Sequence, residues 1–274
     1  MNPLLAAGDP FEHTWNTWDL NLYFVKLNLK AIPGFETLGI TNFVVMMLCS
    51  AALLLFIGIK AGNEAKRAVA EGRSSRGIGA VVEVFLQFIR DDMMRPNMPH
   101  HWKSPFLISL FSTFFFFIVL TNLIGLAPPP FGHTATGTIF VTGALAFGGT
   151  LVAIVGAGFY EHGVGGYVAH LAPPSPWWVR WPLLLPIEII GVLVKPVSLT
   201  LRLAANMTAG HIILAVIMNF LAMGFSAVAL IVIPVSAFGW AAITIFEVAI
   251  AFIQAYIFTV LSCVFVGASL SHEH

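Results

Sequence analysis

Long apolar blocks without any Asp, Glu, Lys or Arg dominate the pattern of hydrophobic and polar positions along the chain. These uncharged blocks cover residues 37–59, 104–160, 203–246 and 248–272. A helix needs roughly 20 apolar residues to cross a hydrocarbon core about 30 Å thick. Transmembrane β-strands would instead alternate apolar and polar residues over about ten positions, which these blocks do not do. We therefore predict an all-α integral membrane protein with about five crossings.

Stretches rich in polar residues, glycine or proline divide a single membrane domain, residues 1–274, into segments. Residues 161–180 are too rich in glycine and proline to span, and their tryptophans favour the cytoplasmic interface. The predicted segments are an extracytoplasmic N-terminal segment at 1–36, a first span at 40–60, an interfacial amphipathic helix at 78–95, a helical hairpin at 105–160, and a steeply tilted hairpin at 181–270.

The charge of one loop predicts the orientation of the chain in the membrane. Residues 60–76 carry five Lys or Arg but only two Glu. Such a loop is cytoplasmic by the positive-inside rule, which places the N-terminus outside and the C-terminus in the cytoplasm. The chain does not begin with a basic region followed by a short apolar core, so the sequence predicts no cleaved signal peptide.

The segment at 78–95 has the pattern of a helix lying on the membrane surface. Its apolar residues at helical spacing are Ile78, Val82, Phe85 and Ile89, and the polar residues of the opposite face are Glu83, Gln87, Arg90 and Asp91. An ordinary crossing would put several charges in or near lipid, which is costly. We therefore predict an interfacial helix.

Composition narrows the possible functions. The chain is 58% hydrophobic and 9% charged, with a mean hydropathy of +0.89, which is incompatible with one aqueous globule. Its formal net charge is zero, which gives no basis for a nucleic-acid surface. Cys49 and Cys263 lie in apolar segments without metal-ligand spacing, and no HExxH pattern occurs. We expect no cofactor, metal or redox site.

A set of polar and ionisable residues interrupts the apolar C-terminal third. Its members are Glu188, Lys195, Ser198, Arg202, Asn206, His211, Glu247 and Gln254. A charge at a helix centre costs about 2.5–3.5 kcal/mol on an insertion scale, so charges kept there indicate function. Glu188, Lys195 and Arg202 are spaced by seven residues and share one helical face. Ser198 and Asn206 flank Arg202, whereas His211 points away from this face.

These residues also predict how the last two helices pair. In an antiparallel hairpin, the residue numbers of two residues at equal depth add up to the same total for every such pair. This rule places Arg202 level with Gln254 and His211 level with Glu247. The natural turn lies at 223–227. Each arm would be about 60 Å long, roughly twice the hydrocarbon thickness, so we predict a steep tilt rather than a break near Arg202 or Glu247.

Two runs resemble a known family. Residues 191–211, GVLVKPVSLTLRLAANMTAGH, and residues 246–261, FEVAIAFIQAYIFTVL, resemble the a subunit of the membrane sector of rotary ATP synthases. Asn122 in TNLIGLAP fits this family more weakly. The histidine precedes the carboxylate, as in mitochondrial and α-proteobacterial-like members. Gly125 stands where many bacterial members have an aspartate, which weakens any claim of an acidic relay in the hairpin at 105–160.

The resemblance implies a proton-translocating subunit that offers two half-channels to a rotating ring and has no nucleotide site of its own. Arg202 would face the ring beside Asn206 and Gln254. His211 and Glu247 would line the outer half-channel, whereas Glu188, Lys195 and Ser198 are candidates for the cytoplasmic one. The implied partners are the c-subunit ring, b-type peripheral stalk subunits, the rest of the complex and the lipid bilayer. The implied location is a bacterial inner membrane or, alternatively, a mitochondrial inner membrane.

Other functions explain the same residues less well. A secondary transporter predicts internal repeats and helices broken by glycine or proline in two corresponding halves, and neither occurs. A simple ion channel stays open on physical grounds, as does the choice between protons and sodium ions. Glu188 and Lys195 are equally compatible with snorkelling to the interface. The alternative for His211 and Glu247 is a buried pair that only sets the register.

Overall fold

The computed structural model describes residues 19–22, 25–28, 42–99, 105–126, 135–171, 176–221 and 229–271. Five helices within these residues are long and apolar enough to cross a membrane, which confirms the predicted all-α integral membrane fold. The five candidate spans are Phe43–Ala70, Pro105–Leu126, Ile139–Val168, Trp177–Met218 and Leu230–Leu270. The turn predicted at 223–227 lies outside the described residues.

A short β-hairpin precedes the helices, and the sequence analysis did not predict it. Strands β1 (Asp19–Leu22) and β2 (Val25–Asn28) pair antiparallel, with Leu20 opposite Leu27 and Leu22 opposite Val25. Leucine and valine alternate here with polar residues, which is the period of a strand. The hairpin lies outside the five spans, and the rest of the segment at 1–36 is outside the described residues.

Helix α1 (Asn42–Ala70) extends ten residues beyond the predicted end of the first span at residue 60. The extension contains mostly Ala, Glu, Lys and Arg, which are strong helix formers even where they are too polar for lipid. The helix ends in a Schellman motif, with Gly72 at φ 62° and the amide of Arg73 bonded to the carbonyl of Ala68. Hydropathy therefore missed the end of this helix.

Helix α2 (Ile78–Phe88) continues through a π-helical turn at Ile89–Met94. Of its predicted apolar face, Ile89 is fully buried and Phe85 packs on Phe115 and Phe116, but Ile78 is exposed. Beyond Ile89, the side chain of Arg90 donates hydrogen bonds to Asp91, which lowers the pKa of that carboxyl. The interfacial position of this helix stays a prediction.

Helix α3 (Pro105–Leu126) forms the first arm of the predicted hairpin. The second arm consists of α4 (Ile139–Gly143), a π-helical stretch at Ala144–Leu151 and α5 (Val152–Leu171). It therefore runs past the predicted end at residue 160, but the backbone leaves helical geometry at Gly163, where φ is 68°. Glycine adopts this conformation without the steric cost that other residues meet.

A short helix α6 (Trp177–Val179) and a π-helical turn at Arg180–Leu184 lead into α7 (Leu185–Leu221), which is followed by α8 (Ala229–Leu270). Helices α7 and α8 have 37 and 42 residues and pass through Arg202 and Glu247 without interruption. The long, unbroken arms expected for the last hairpin are therefore present. Their tilt stays a prediction.

The described residues belong to two compact units, each considered by itself below. The first unit comprises the described parts of 1–54, 117–138 and 203–254. The second unit comprises those of 55–116, 139–202 and 255–274. The long helices α1, α3, α7 and α8 each contribute residues to both.

Candidate functional site

A buried carboxylate is the most unusual polar group of the first unit. Glu247 on α8 is 4% exposed, and neither of its carboxylate oxygens has a hydrogen-bond partner within the described part of the chain. Burying an ionised carboxylate without a partner is very unfavourable, so a carboxyl group kept at such a position indicates a function. Glu247 is therefore the first candidate for proton transfer in this unit.

Helix α7 approaches this carboxylate through a glycine. A Cβ atom added to Gly210 would lie 2.9 Å from Cδ of Glu247 and closer still to its Oε1. Only a residue without a side chain leaves this space for the carboxyl group. His211, the next residue, is half-buried. The structure thus brings Glu247 against α7 one residue before the histidine predicted at its depth.

A second group of buried polar atoms in the first unit joins α3 to the start of the next helix. The hydroxyl of Thr136 donates a hydrogen bond to Oδ1 of Asn122, and both residues are fully buried. The Nδ2 atom of Asn122 has no partner among the described residues. The hydroxyl of Thr208 on α7 donates to the carbonyl of Gly137 at 3.0 Å. These contacts anchor α7 two residues before Gly210.

Sequence analysis did not single out Thr136 or Thr208. Threonine is common in apolar helices, where its hydroxyl can bond to the preceding turn, so its presence carries little signal. The other two predicted residues of this unit differ in environment, since Gln254 is buried and Asn206 is exposed.

Arg202 in the second unit lies on an exposed face of α7. None of the ion pairs among the described residues includes it. Its neighbours on the exposed surface are of both kinds: the apolar Val197 and Leu201 are 41% and 52% exposed, and the polar Ser198 and Asn206, one turn away on either side, are exposed as well. An arginine on the exposed surface of a membrane-spanning helix is expected to meet a partner on another protein or in a water-filled space.

The remaining predicted residues of the second unit do not converge on one point. The ammonium of Lys195 lies over the ring of Phe265 on α8, 5.1 Å from its centroid. Glu188, in the first turn of α7, and Ser198 are both exposed. A carboxylate near a helix N-terminus is favoured by the helix dipole, which gives Glu188 a structural reason to be there.

Sequence analysis also missed a buried polar contact in the second unit. The hydroxyls of Thr150 and Ser262 lie 2.9 Å apart, and Oγ1 of Thr259, one turn earlier on α8, is buried without a described partner. Such hydroxyls can pass protons along a chain, but Ser262 also bonds to the carbonyl of Phe258. No group of three or more potential metal ligands occurs among the residues that the structure describes.

The chain is similar to known proteins over most of its length. The model of the ATP synthase A chain family matches residues 44–267. The chain is 41% identical to ATP synthase subunit a of Chloroherpeton thalassium, over 91% of this chain and 72% of that protein. It is 38% identical to ATP synthase subunit a of Myxococcus xanthus, over 100% of this chain and 91% of that protein. It is also 38% identical to ATP synthase subunit a 2 of Prosthecochloris aestuarii, over 91% of this chain and 74% of that protein.

Proposed function

The chain belongs to the ATP synthase A chain family, and from this premise we propose how its residues carry protons. As a member of the membrane sector it is a proton-translocating subunit of the ATP synthase complex and has a non-catalytic role. Nucleotide chemistry belongs to other subunits. We propose that protons enter the membrane along residues of the first unit and leave it along residues of the second.

Glu247 carries the inward path. Its burial without a described partner is the single observation that most favours proton exchange at this position. A carboxyl group can take up a proton and pass it on to a neighbouring group. His211 lies next to Gly210, whose missing side chain makes room for the Glu247 carboxyl. The two residues form the outer half-channel, and Asn206 and Gln254 are further polar residues of the same unit.

Arg202 separates the two paths. Its guanidinium keeps its positive charge, so it favours the ionised form of a passing carboxylate and repels a proton that would cross directly between half-channels. Its exposed position on α7, beside the exposed Val197 and Leu201, fits contact with a second membrane protein. We infer that this partner is a c-subunit ring bearing the carboxylates that carry protons around.

The outward path follows the other predicted residues of α7. Lys195, held over Phe265, together with Ser198 and Glu188, would line the cytoplasmic half-channel. The charges of the loop after α1 favour an N-terminus outside and a C-terminus in the cytoplasm of a bacterium. Peripheral stalk subunits of the b type complete the set of proposed partners.

The test replaces Arg202 and measures ATP-driven proton pumping in inverted vesicles that contain the whole complex. Arg202→Ala is expected to abolish pumping while the complex still assembles, and Arg202→Lys is expected to restore it only partly, because an ammonium lacks the planar fork of the guanidinium. Leu201→Ala, an uncharged change on the same exposed surface, is the matched control and is expected to pump normally. Normal pumping by Arg202→Ala would disprove the assignment.

A further inference from the structure

A basic pocket of about 370 Å³ lies within the second unit, between the charged end of α1 and the start of α2. Lys60, Glu64, Arg67 and Arg76 line it together with Ile78. None of these residues takes part in the proposed proton paths. The pocket therefore needs a separate explanation.

Glu64 organises the walls of this pocket. Its carboxylate accepts a hydrogen bond from the guanidinium of Arg73 at 2.7 Å and another from the backbone amide of Arg76 at 3.2 Å. Gly79 packs against it so closely that an added Cβ would lie 2.8 Å from Cγ of Glu64. The bond to Glu64 also raises the pKa of Arg73. The turn after α1 is thus tied back to the helix, and Arg73 is shared between Glu64 and Glu71, to which it also donates a hydrogen bond.

Three cations of the pocket are available to bind an anion. Lys60, Arg67 and Arg76 are exposed, and none of the ion pairs among the described residues includes their side chains. The ammonium of Lys60 lies 4.5 Å from the ring centroid of Phe56, which leaves its charge uncompensated. These three cations outnumber the one carboxylate that lines the pocket, Glu64, so the pocket presents a net positive charge to any anion.

The depth of the pocket points to the membrane surface. The apolar part of α1 before Lys60 rises about 26 Å, close to the thickness of the hydrocarbon core of about 30 Å. Lys60 then lies at the edge of the core, and Arg67 lies two turns, or about 10 Å, further into the headgroup layer. Directly before Lys60, α1 exposes Leu55, Phe56 and Ile59, which are 66%, 53% and 62% exposed.

We propose that this pocket binds the phosphate headgroup of an anionic phospholipid, whose acyl chains lie along the exposed apolar side chains of α1. Clustered Lys and Arg beside a membrane helix are the usual means of recognising such headgroups. A free phosphate would use the same cations, but it would approach from water, whereas the exposed Leu55, Phe56 and Ile59 face the bilayer directly beside these cations. The apolar surface adjoining the cations therefore favours a lipid over a soluble anion.

The test measures lipid binding to the full-length chain in a neutral detergent, with fluorescent phosphatidylglycerol as the anionic probe and fluorescent phosphatidylcholine as the zwitterionic one. Arg67→Gln and Arg76→Gln are each expected to weaken phosphatidylglycerol binding about fivefold, and the double variant about 25-fold. Binding of phosphatidylcholine is expected to be weaker and to change little. Lys66→Gln removes one positive charge at the position directly before Arg67, but Lys66 does not line the pocket. This variant is therefore expected to bind like the unmodified chain.

Three results would overturn this proposal. If Lys66→Gln weakens binding as much as Arg67→Gln does, the effect is general charge and not this pocket. If inorganic phosphate displaces the lipid probe at equal concentration, the ligand is a soluble anion. If the double variant binds phosphatidylglycerol normally but loses another subunit from the purified complex, the pocket receives an acidic protein segment instead.

Discussion

Gly210→Ala is the sharpest structural test of the inward path, because it adds a single methyl group beside the buried carboxyl. In the present geometry the new Cβ would lie 2.9 Å from Cδ of Glu247 and closer still to Oε1, well inside ordinary contact distance. The helix α7 is held nearby by Thr208, whose hydroxyl bonds to Gly137, so the backbone is not expected to move away. The side chain of Glu247 must therefore rotate.

The expected cost to folding is small, whereas the expected cost to function is large. Overpacking of a tight site costs about 1–3 kcal/mol, but replacing glycine by alanine within a helix returns about 1 kcal/mol. The net destabilisation should be about 0–2 kcal/mol. A carboxyl displaced by about an ångström from its working position transfers protons much less well, and such misplacement can cost on the order of a hundredfold in rate.

The assay is ATP-driven proton pumping in inverted vesicles, with assembly checked by the amount of complex in the membrane. Gly191→Ala is the matched control on the same helix, since its added Cβ would meet only Oε2 of Glu188 at 3.9 Å. Shortening the acid in the double variant Gly210→Ala with Glu247→Asp should recover part of the activity, because it withdraws the carboxyl from the new methyl group. If Gly210→Ala pumps as well as Gly191→Ala, the Glu247 position does not depend on this contact and the reasoning fails.

Two further predictions concern the same unit. Exchanging His211 and Glu247 in a double variant should impair pumping less than either single change, since one acid and one base are retained; a double variant worse than both singles would show that the residues are not coupled. Thr136→Val should lower the free energy of unfolding by about 1–3 kcal/mol in a thermal assay, because it leaves Oδ1 of Asn122 without its buried donor. Thr113→Val removes an exposed hydroxyl that bonds only to the preceding turn, so it should change the free energy of unfolding much less. Equal losses of stability in the two variants would contradict this explanation.

The bounds of the helices show where local patterns are sufficient and where they are not. The long apolar blocks predicted α3, α7 and α8 because the need to satisfy the backbone in lipid leaves few alternatives to a helix. The end of α1 was missed because hydropathy follows apolar composition, whereas strong helix formers continue the helix through a polar stretch. Gly163 lies in the stretch predicted to be too rich in glycine and proline to span, whereas it produces one break within a longer helix.

The sequence by itself determined the fold class, the number of spans and the identity of the ionisable residues in the last two helices. These properties depend on composition and on spacing along one helix, which are local. Only the tertiary structure decided that Glu247 meets Gly210, that Thr136 bonds to Asn122 and that Lys195 lies over Phe265. Such contacts join residues far apart in the chain, and they depend on the depth and rotation at which helices pack, which periodicity within one helix does not specify.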